Sequence, residues 1–290
     1  MGRLLKTILF FLFIFNTNLG ISQDIYVYPN IVNINTIKKC SNQDIIENKL
    51  IDSIKRELDS PYKGIIEIKK VDLNNDSRCE IIILYQDREA YPNYTPTKIF
   101  EIRNNCAREI GFFFWENISF AEKDKEFLQI LSKNYEGHKT NPVWYLDVFC
   151  FDGKSYKPLN IPHFTIGQYR DLGLKAFQRK EYETAEKYYL NAYRMSKILQ
   201  ENQILDANNL ALVWIKLKKL DKAKSLLLET ISNLKDGYYN EKELAPIYFN
   251  LGLIAETEKK YKEALELYRK SNSYESSNAR LEKIKLMTEK

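Results

Sequence analysis

Tyr248–Ser271 reads YFNLGLIAETEKKYKEALELYRKS, and the spacing inside it sets the expected architecture of the C-terminal half. Tyr248, Leu251, Gly252, Tyr261, Ala264, Tyr268 and Ser271 follow one another at offsets of three, one, nine, three, four and three residues. Offsets of three and four put side chains on one face of a helix, and the gap of nine leaves room for a reversal. Two helices packed antiparallel need large residues to fill the seam, here Tyr248, Leu251 and Tyr268. They also need small ones where the backbones approach, here Gly252, Ala264 and Ser271.

The same frame recurs upstream. Tyr169, Leu172, Gly173, Tyr182, Ala185, Tyr189 and Ala192 repeat it residue for residue, and Ala207, Leu210, Ala211, Trp214, Leu220, Ala223, Leu227 and Thr230 form a looser copy. This pattern resembles the tetratricopeptide repeat (TPR), a helix–turn–helix unit that stacks into a solenoid. The resemblance covers roughly residues 164–275 and departs from the family in three ways. Ala255 stands where an aromatic is usual, and no proline ends the second helices. Gly173 to Ala211 is 38 residues and Ala211 to Gly252 is 41, against about 34 in the family.

What the resemblance implies is an all-α domain over 164–290, with repeats at about 166–199, 204–237 and 245–278. Helices are expected at 166–179, 182–200, 204–217, 221–235, 241–257 and 261–273, with Ala279–Met287 as a terminal cap. Gly237 would end the fourth, and Asn240 with Glu243 would cap the fifth. Partners of such repeats lie in a groove lined by the first helix of each pair. That frame assigns Arg170, Leu174 and Phe177 to the groove, then Asn208, Leu212, Ile215 and Lys216, then Phe249, Leu253 and Glu256. Asn209 and Asn250 match a family preference that helix packing explains equally well. The lining suits an extended peptide or an amphipathic helix of another protein. Lysine and asparagine are too few there for the carboxylate-clamp version.

The turns inside the pairs carry basic doublets: Arg179 and Lys180, Lys218 and Lys219, Lys259 and Lys260. Family members usually have glycine at the positions of Lys180, Lys218 and Lys259, because the backbone there favours a left-handed conformation. Stacking would align the doublets into a basic ridge able to meet an acidic partner or an anionic surface.

The chain has 290 residues and a net charge of +5. That charge is uneven, at −2 over 23–163 and +5 over 164–290. Met1–Asp24 reads as a secretory signal, with Arg3 and Lys6 ahead of the apolar run Ile8–Phe15 and small residues at Gly20 and Ser22. The run is short of the roughly 20 residues that span a bilayer, and no later stretch is apolar enough. The expectation is a signal peptide over 1–22 and an exported chain, periplasmic or secreted, in a bacterial envelope. Nucleic acid is then an improbable partner. Cys40, Cys79, Cys106 and Cys150 all precede residue 160. In an oxidising compartment an even set in one domain favours two disulfides. Three pairings are open, and Cys79–Cys106 is preferred because both lie at ends of neighbouring expected strands.

Residues 23–160 read as an α+β domain of one helix and a mainly antiparallel sheet. Ser41–Leu58 is the helix, with Ser41 and Asp44 as a capping pair and Pro61 as its stop. Strands are expected at Gly64–Val71, Cys79–Tyr85, Thr97–Arg103, Ile110–Trp115, Phe127–Ser132 and Trp144–Phe151, with a tight turn at Asp152-Gly153. Pro158–Phe164 marks the boundary between the two halves. In the loop Val71–Ile82, Asp72, Asn74, Asp76 and Glu80 place oxygens at alternating positions, a spacing that can wrap calcium. The loop is similar to those of FG-GAP-like β-repeat modules, with Ser77 in the usual glycine place and no carboxylate at position twelve. A turn whose side chains cap its own backbone has the same composition.

His138 and His163 are the only histidines, and no motif of a known catalytic class surrounds either. The expectation is a non-enzymatic adaptor. An envelope enzyme or inhibitor, active through its N-terminal domain and docked by its repeats, is the alternative.

Overall fold

The computed structural model describes residues 25–34, 44–58, 63–103, 106–124, 127–136, 143–233, 241–271 and 276–288. The expected signal segment, Cys40, Ser41, Pro61, His138, Gly237 and Asn240 lie outside them. Helix α1 (Asp44–Glu57) is followed by β1 (Lys63–Val71), β2 (Glu80–Asp87), β3 (Pro96–Arg103) and β4 (Cys106–Phe114). A 3-10 turn at Trp115–Asn117 leads into β5 (Ile118–Asp124), β6 (Phe127–Glu136), β7 (Val143–Phe151) and β8 (Tyr156–Pro158). Each group of four strands is an antiparallel sheet with its strands in chain order. Six strands match the expected ones. β5 and β8 are additional: the charged, exposed end of β5 hides its pattern, and β8 has three residues. The turn after β7 forms as expected, with Gly153 at φ +94° and Asp152 N–H donating to Ser155 O at 3.1 Å.

The run Ile81-Ile82-Ile83-Leu84 shows how the layers stack. Ile82 and Leu84 join Val71, Ile99, Phe120 and Ile130 between the two sheets. Ile81 and Ile83 face the other way and meet Ile54 of α1, with Leu50 and Leu58 beside it. A strand covered on both faces has no reason to alternate, so it reads as an unbroken apolar run. The second sheet repeats the arrangement. Ile130 points into the sandwich, while Leu131, Leu146 and Val148 point outward onto Tyr28, Tyr169, Ala192 and Met195. The outer face of this sheet is thus covered by the helices that follow.

Those helices are α2 (Ile166–Gln178), α3 (Tyr182–Leu199), α4 (Gln203–Lys216), α5 (Leu220–Asn233), α6 (Glu241–Thr257), α7 (Tyr261–Lys270) and α8 (Ser276–Thr288). Thr165 starts α2 with a capping box: its hydroxyl accepts from Gln168 N, and Gln168 Oε1 accepts from Thr165 N. The first six helices form three hairpins, each closed by a turn of three residues. Where paired backbones approach, Gly173 lies under the Tyr189 ring and Gly252 under the Tyr268 ring. A Cβ at either glycine would come within 2.9 Å and 2.6 Å of those rings.

The three turns share one backbone conformation. Lys180, Lys218 and Lys259 have φ of 64°, 61° and 61°, the left-handed values expected where glycine is usual. Each lysine amide bonds the carbonyl three residues back, and the next amide bonds the one five back. These pairs are Lys180–Phe177 with Glu181–Ala176, Lys218–Ile215 with Lys219–Trp214, and Lys259–Glu256 with Lys260–Ala255. This is the Schellman arrangement, which satisfies carbonyls left over at a helix end.

The halves meet through a continuous core. Asn191, fully buried on α3, accepts from Tyr28 N at 2.8 Å and donates to Tyr26 O at 2.7 Å. The segment it holds also extends the second sheet, since Val32 N bonds Phe120 O and Glu122 N bonds Asn30 O. Among the described residues, no helix is long and apolar enough to cross a membrane.

Cys79 is disulfide-bonded. The expected Cys79–Cys106 pairing is not formed: Cys106, on the edge strand β4, is an exposed free thiol. Two disulfides are not formed either, because Cys150 keeps a thiol that donates to Gln129 Oε1 at 3.5 Å. Cys106 lies across from Arg103 in the β3–β4 ladder, and Cys79 precedes β2. Adjacency of expected strands was therefore not enough to bring the two sulfurs together.

Candidate functional site

The first helices of the second and third hairpins, α4 and α6, carry the site. Leu212, Ile215 and Lys216 of α4 meet Leu253 and Glu256 of α6 around a concavity of about 290 Å3. Lys218, Thr257 and Arg280 complete its rim. Five of the ten groove residues expected from the sequence are thereby brought together. Arg280, on α8, is the addition. Its Nη1 lies 3.0 Å and 2.9 Å from the two Glu256 oxygens, and Tyr268 Oη donates to Glu256 at 2.8 Å. With Glu256 and Arg280 paired, Lys216 and Lys218 are the rim's remaining cations. Nothing in the sequence of α8 marked Arg280, because its partner lies 24 residues away on another helix.

Four of the other five have packing roles. Arg170 forms two 2.8 Å hydrogen bonds to Asp206, whose side chain is wholly buried at the start of α4. This bidentate pair ties α2 to α4 and holds the guanidinium away from any groove ligand. Asn250 Nδ2 donates to the side chain and backbone oxygens of Asn208 at 2.8 and 3.2 Å, tying α4 to α6. Of the two roles open to Asn250, this contact is a packing one. Phe177 packs on Tyr182 and Phe249 on Tyr268. Leu174 is 47% exposed and does not line this concavity.

The basic doublets differ among themselves. Arg179, Lys180, Lys218 and Lys259 are exposed. Lys219 instead bonds both Glu186 oxygens at 2.8 and 2.6 Å, and Trp214 Nε1 donates to the same carboxylate. Lys260 pairs with Glu258 at 2.7 Å. The left-handed position therefore displays a cation at all three turns, while its neighbour is neutralised at two of them.

In the acidic loop the oxygens serve the backbone. Asp72 accepts from Asp76 N and Ser77 N, Asn74 from Asp76 N, Asp76 from Arg78 N, and Glu80 from Leu73 N. Asn75 and Ser77 take φ of 65° and 70° to allow it. Among the described residues, no group of three or more His, Cys, Asp or Glu side chains is arranged to hold a metal ion. His163 has a partner that sequence could not supply. Its Nε2 lies 2.9 Å from Asp147 Oδ1, and its ring stacks on Tyr145. The contact pins the segment between β8 and α2 against β7.

The chain matches no protein-family model and no curated protein in sequence.

Proposed function

We propose that this chain is an exported, non-enzymatic adaptor of the TPR type. Its concavity between α4 and α6 takes an acidic peptide or amphipathic helix of another protein. The observation that carries the reading is the junction of Leu212, Ile215 and Leu253 with Lys216, Lys218 and Arg280 around one concave surface. Apolar side chains at helical spacing receive apolar anchors, and a cationic rim selects an acidic partner. The matching backbone of the three turns, with φ near 60° at each lysine, supports a repeat of one structural unit. Exposed Lys180, Lys218 and Lys259 would carry the long-range attraction, which salt screens.

Site-specific photocrosslinking in the native envelope tests this. A photoreactive residue at Leu212 or Leu253 is expected to give one salt-sensitive adduct. The same residue at Leu228, which is 48% exposed on α5, is expected to give none. The adduct should vanish when Lys216 and Lys218 are changed to glutamate. Equal labelling at all three positions, or labelling indifferent to the glutamates, would overturn the reading.

A further inference from the structure

A second cavity, of about 370 Å3, shares no lining residue with the groove. It lies between α3 and α5, and Trp214 of α4 and Asn30–Ile31 of the N-terminal segment also line it. The volume is at the lower end for small-molecule sites, enough for a body of about one ring.

Its chemistry is divided. Tyr193 and Trp214 supply aromatic wall. Trp214 is held in place by its Nε1 bond to Glu186 at 2.7 Å, so the indole offers a ligand its ring and no spare donor. The charged lining is Arg194, Lys197 and Lys222 against Glu229 alone. Lys197 is 3.3 Å from Glu229 Oε1 and 5.6 Å from the centre of the Tyr193 ring, so it already has company. Arg194 is less well served. One guanidinium nitrogen donates to Asn30 Oδ1 at 2.5 Å, while its Nε is buried with no hydrogen-bond partner. Burial pulls its pKa down from the ordinary arginine value, and Glu122 is the carboxylate that opposes the shift. A buried donor without an acceptor is unfavourable, and a small shift of the guanidinium toward a ligand oxygen in the cavity would relieve it. Lys222 is exposed at the rim.

We propose that this cavity binds a compact organic anion, a carboxylate on an aromatic or branched apolar body. Arg194 and Lys222 would take the carboxylate, and Tyr193 and Trp214 would take the body. The site does not depend on the groove partner.

Calorimetry on the full exported chain decides it, with phenylacetate as the probe and phenethylamine as its cationic counterpart. Phenylacetate is expected to bind and phenethylamine to give no heat. Affinity for phenylacetate should fall by about tenfold in Lys222→Glu, as expected when a charge-assisted contact is reversed. Because Lys222 is exposed, this variant keeps its fold, and melting confirms that directly. A Leu212→Glu change in the groove should leave phenylacetate binding intact, which separates the two sites. No heat with phenylacetate at tens of millimolar, equal binding of the amine, or indifference to Lys222→Glu would each overturn the proposal. So would binding of a peptide ending in phenylalanine when phenylacetate does not bind, since that would make the occupant a chain end.

Discussion

Glu80 begins β2 with 2% of its surface exposed, and its Oε2 accepts the Leu73 amide hydrogen at 2.7 Å. Burial pushes its carboxyl up to about 8, against the opposing pull of the Leu73 bond, and Asp76, Asp72 and Glu101 add to the rise. A carboxyl whose folded pKa is raised keeps its proton in the folded state at pH values where the unfolded chain has lost it. Its contribution is full below 4.5, the unfolded value, and is lost as pH rises toward 8. Glu80→Gln keeps an acceptor for Leu73 N and removes the titration. The variant should match the parent near pH 4.5 in urea unfolding and exceed it increasingly up to pH 8. Parallel pH profiles would show that Glu80 does not titrate in this window. Sequence marked Glu80 as one of four oxygen side chains spaced to wrap calcium. It could not tell a cation loop from a self-capped turn, because both need oxygens at alternating positions and differ only in what those oxygens face.

Hairpin elements were the most legible part of the molecule, and the reason is local. Residues three and four apart share a helix face whatever surrounds them, so the seven helices lie within a few residues of their expected places. Seam residues obey the same logic. Gly252→Ala would place a methyl 2.6 Å from the fully buried Tyr268 ring, which its bond to Glu256 holds in place. Overpacking of this kind costs about 1–3 kcal/mol, while the helix gains roughly 0.8–1 kcal/mol from replacing glycine. The clash should win, and thermal melting should show a lower Tm. A rise would mean that the seam can open. At the turn the expected sign reverses. Lys218→Gly relieves a left-handed backbone worth about 1–2 kcal/mol and gives back about 0.4–1 kcal/mol of unfolded-chain entropy. The Tm should hold or rise slightly, whereas Lys218→Val should lower it. Of the residues assigned to the groove, half meet around the concavity and half do not, for a related reason. The frame says which helix face a residue occupies, but Arg170 and Asn208 are claimed by neighbouring helices, and such pairs have no spacing to read.

At the scale of the whole molecule, two halves that differ in composition and pattern share one core. Tyr28 and Leu146 meet Tyr169 and Met195 there, and Asn191 of α3 bonds Tyr28 N and Tyr26 O across the join. The two prolines of Pro158–Phe164 suggest a boundary too short for a flexible linker, so that the halves touch, but not which residues form the joint, because these are distant in sequence. Asn191→Ala would strand a buried donor and a buried acceptor, each costing about 1–3 kcal/mol. Urea unfolding should then shift by the same amount for both halves. In a Trp214→Phe background, tryptophan emission follows the sandwich and far-ultraviolet dichroism is dominated by the helices. Two separate transitions would mean that the shared core does not couple the halves. The joint also bears on the order in which a growing chain can assemble. Tyr28 N finds its acceptor 163 residues later, so the N-terminal segment that bridges to β5 is made early and is tied to α3 only late. Until α3 has been synthesised, the outer face of that sheet has Tyr28 and Tyr169 of α2 against it but lacks Ala192 and Met195. The loop to be closed is long, and closing it sets a late and slow step. A ribosome paused ahead of α3 would therefore hold a sandwich with one apolar face only partly covered, and that is the stage at which this chain most needs a chaperone.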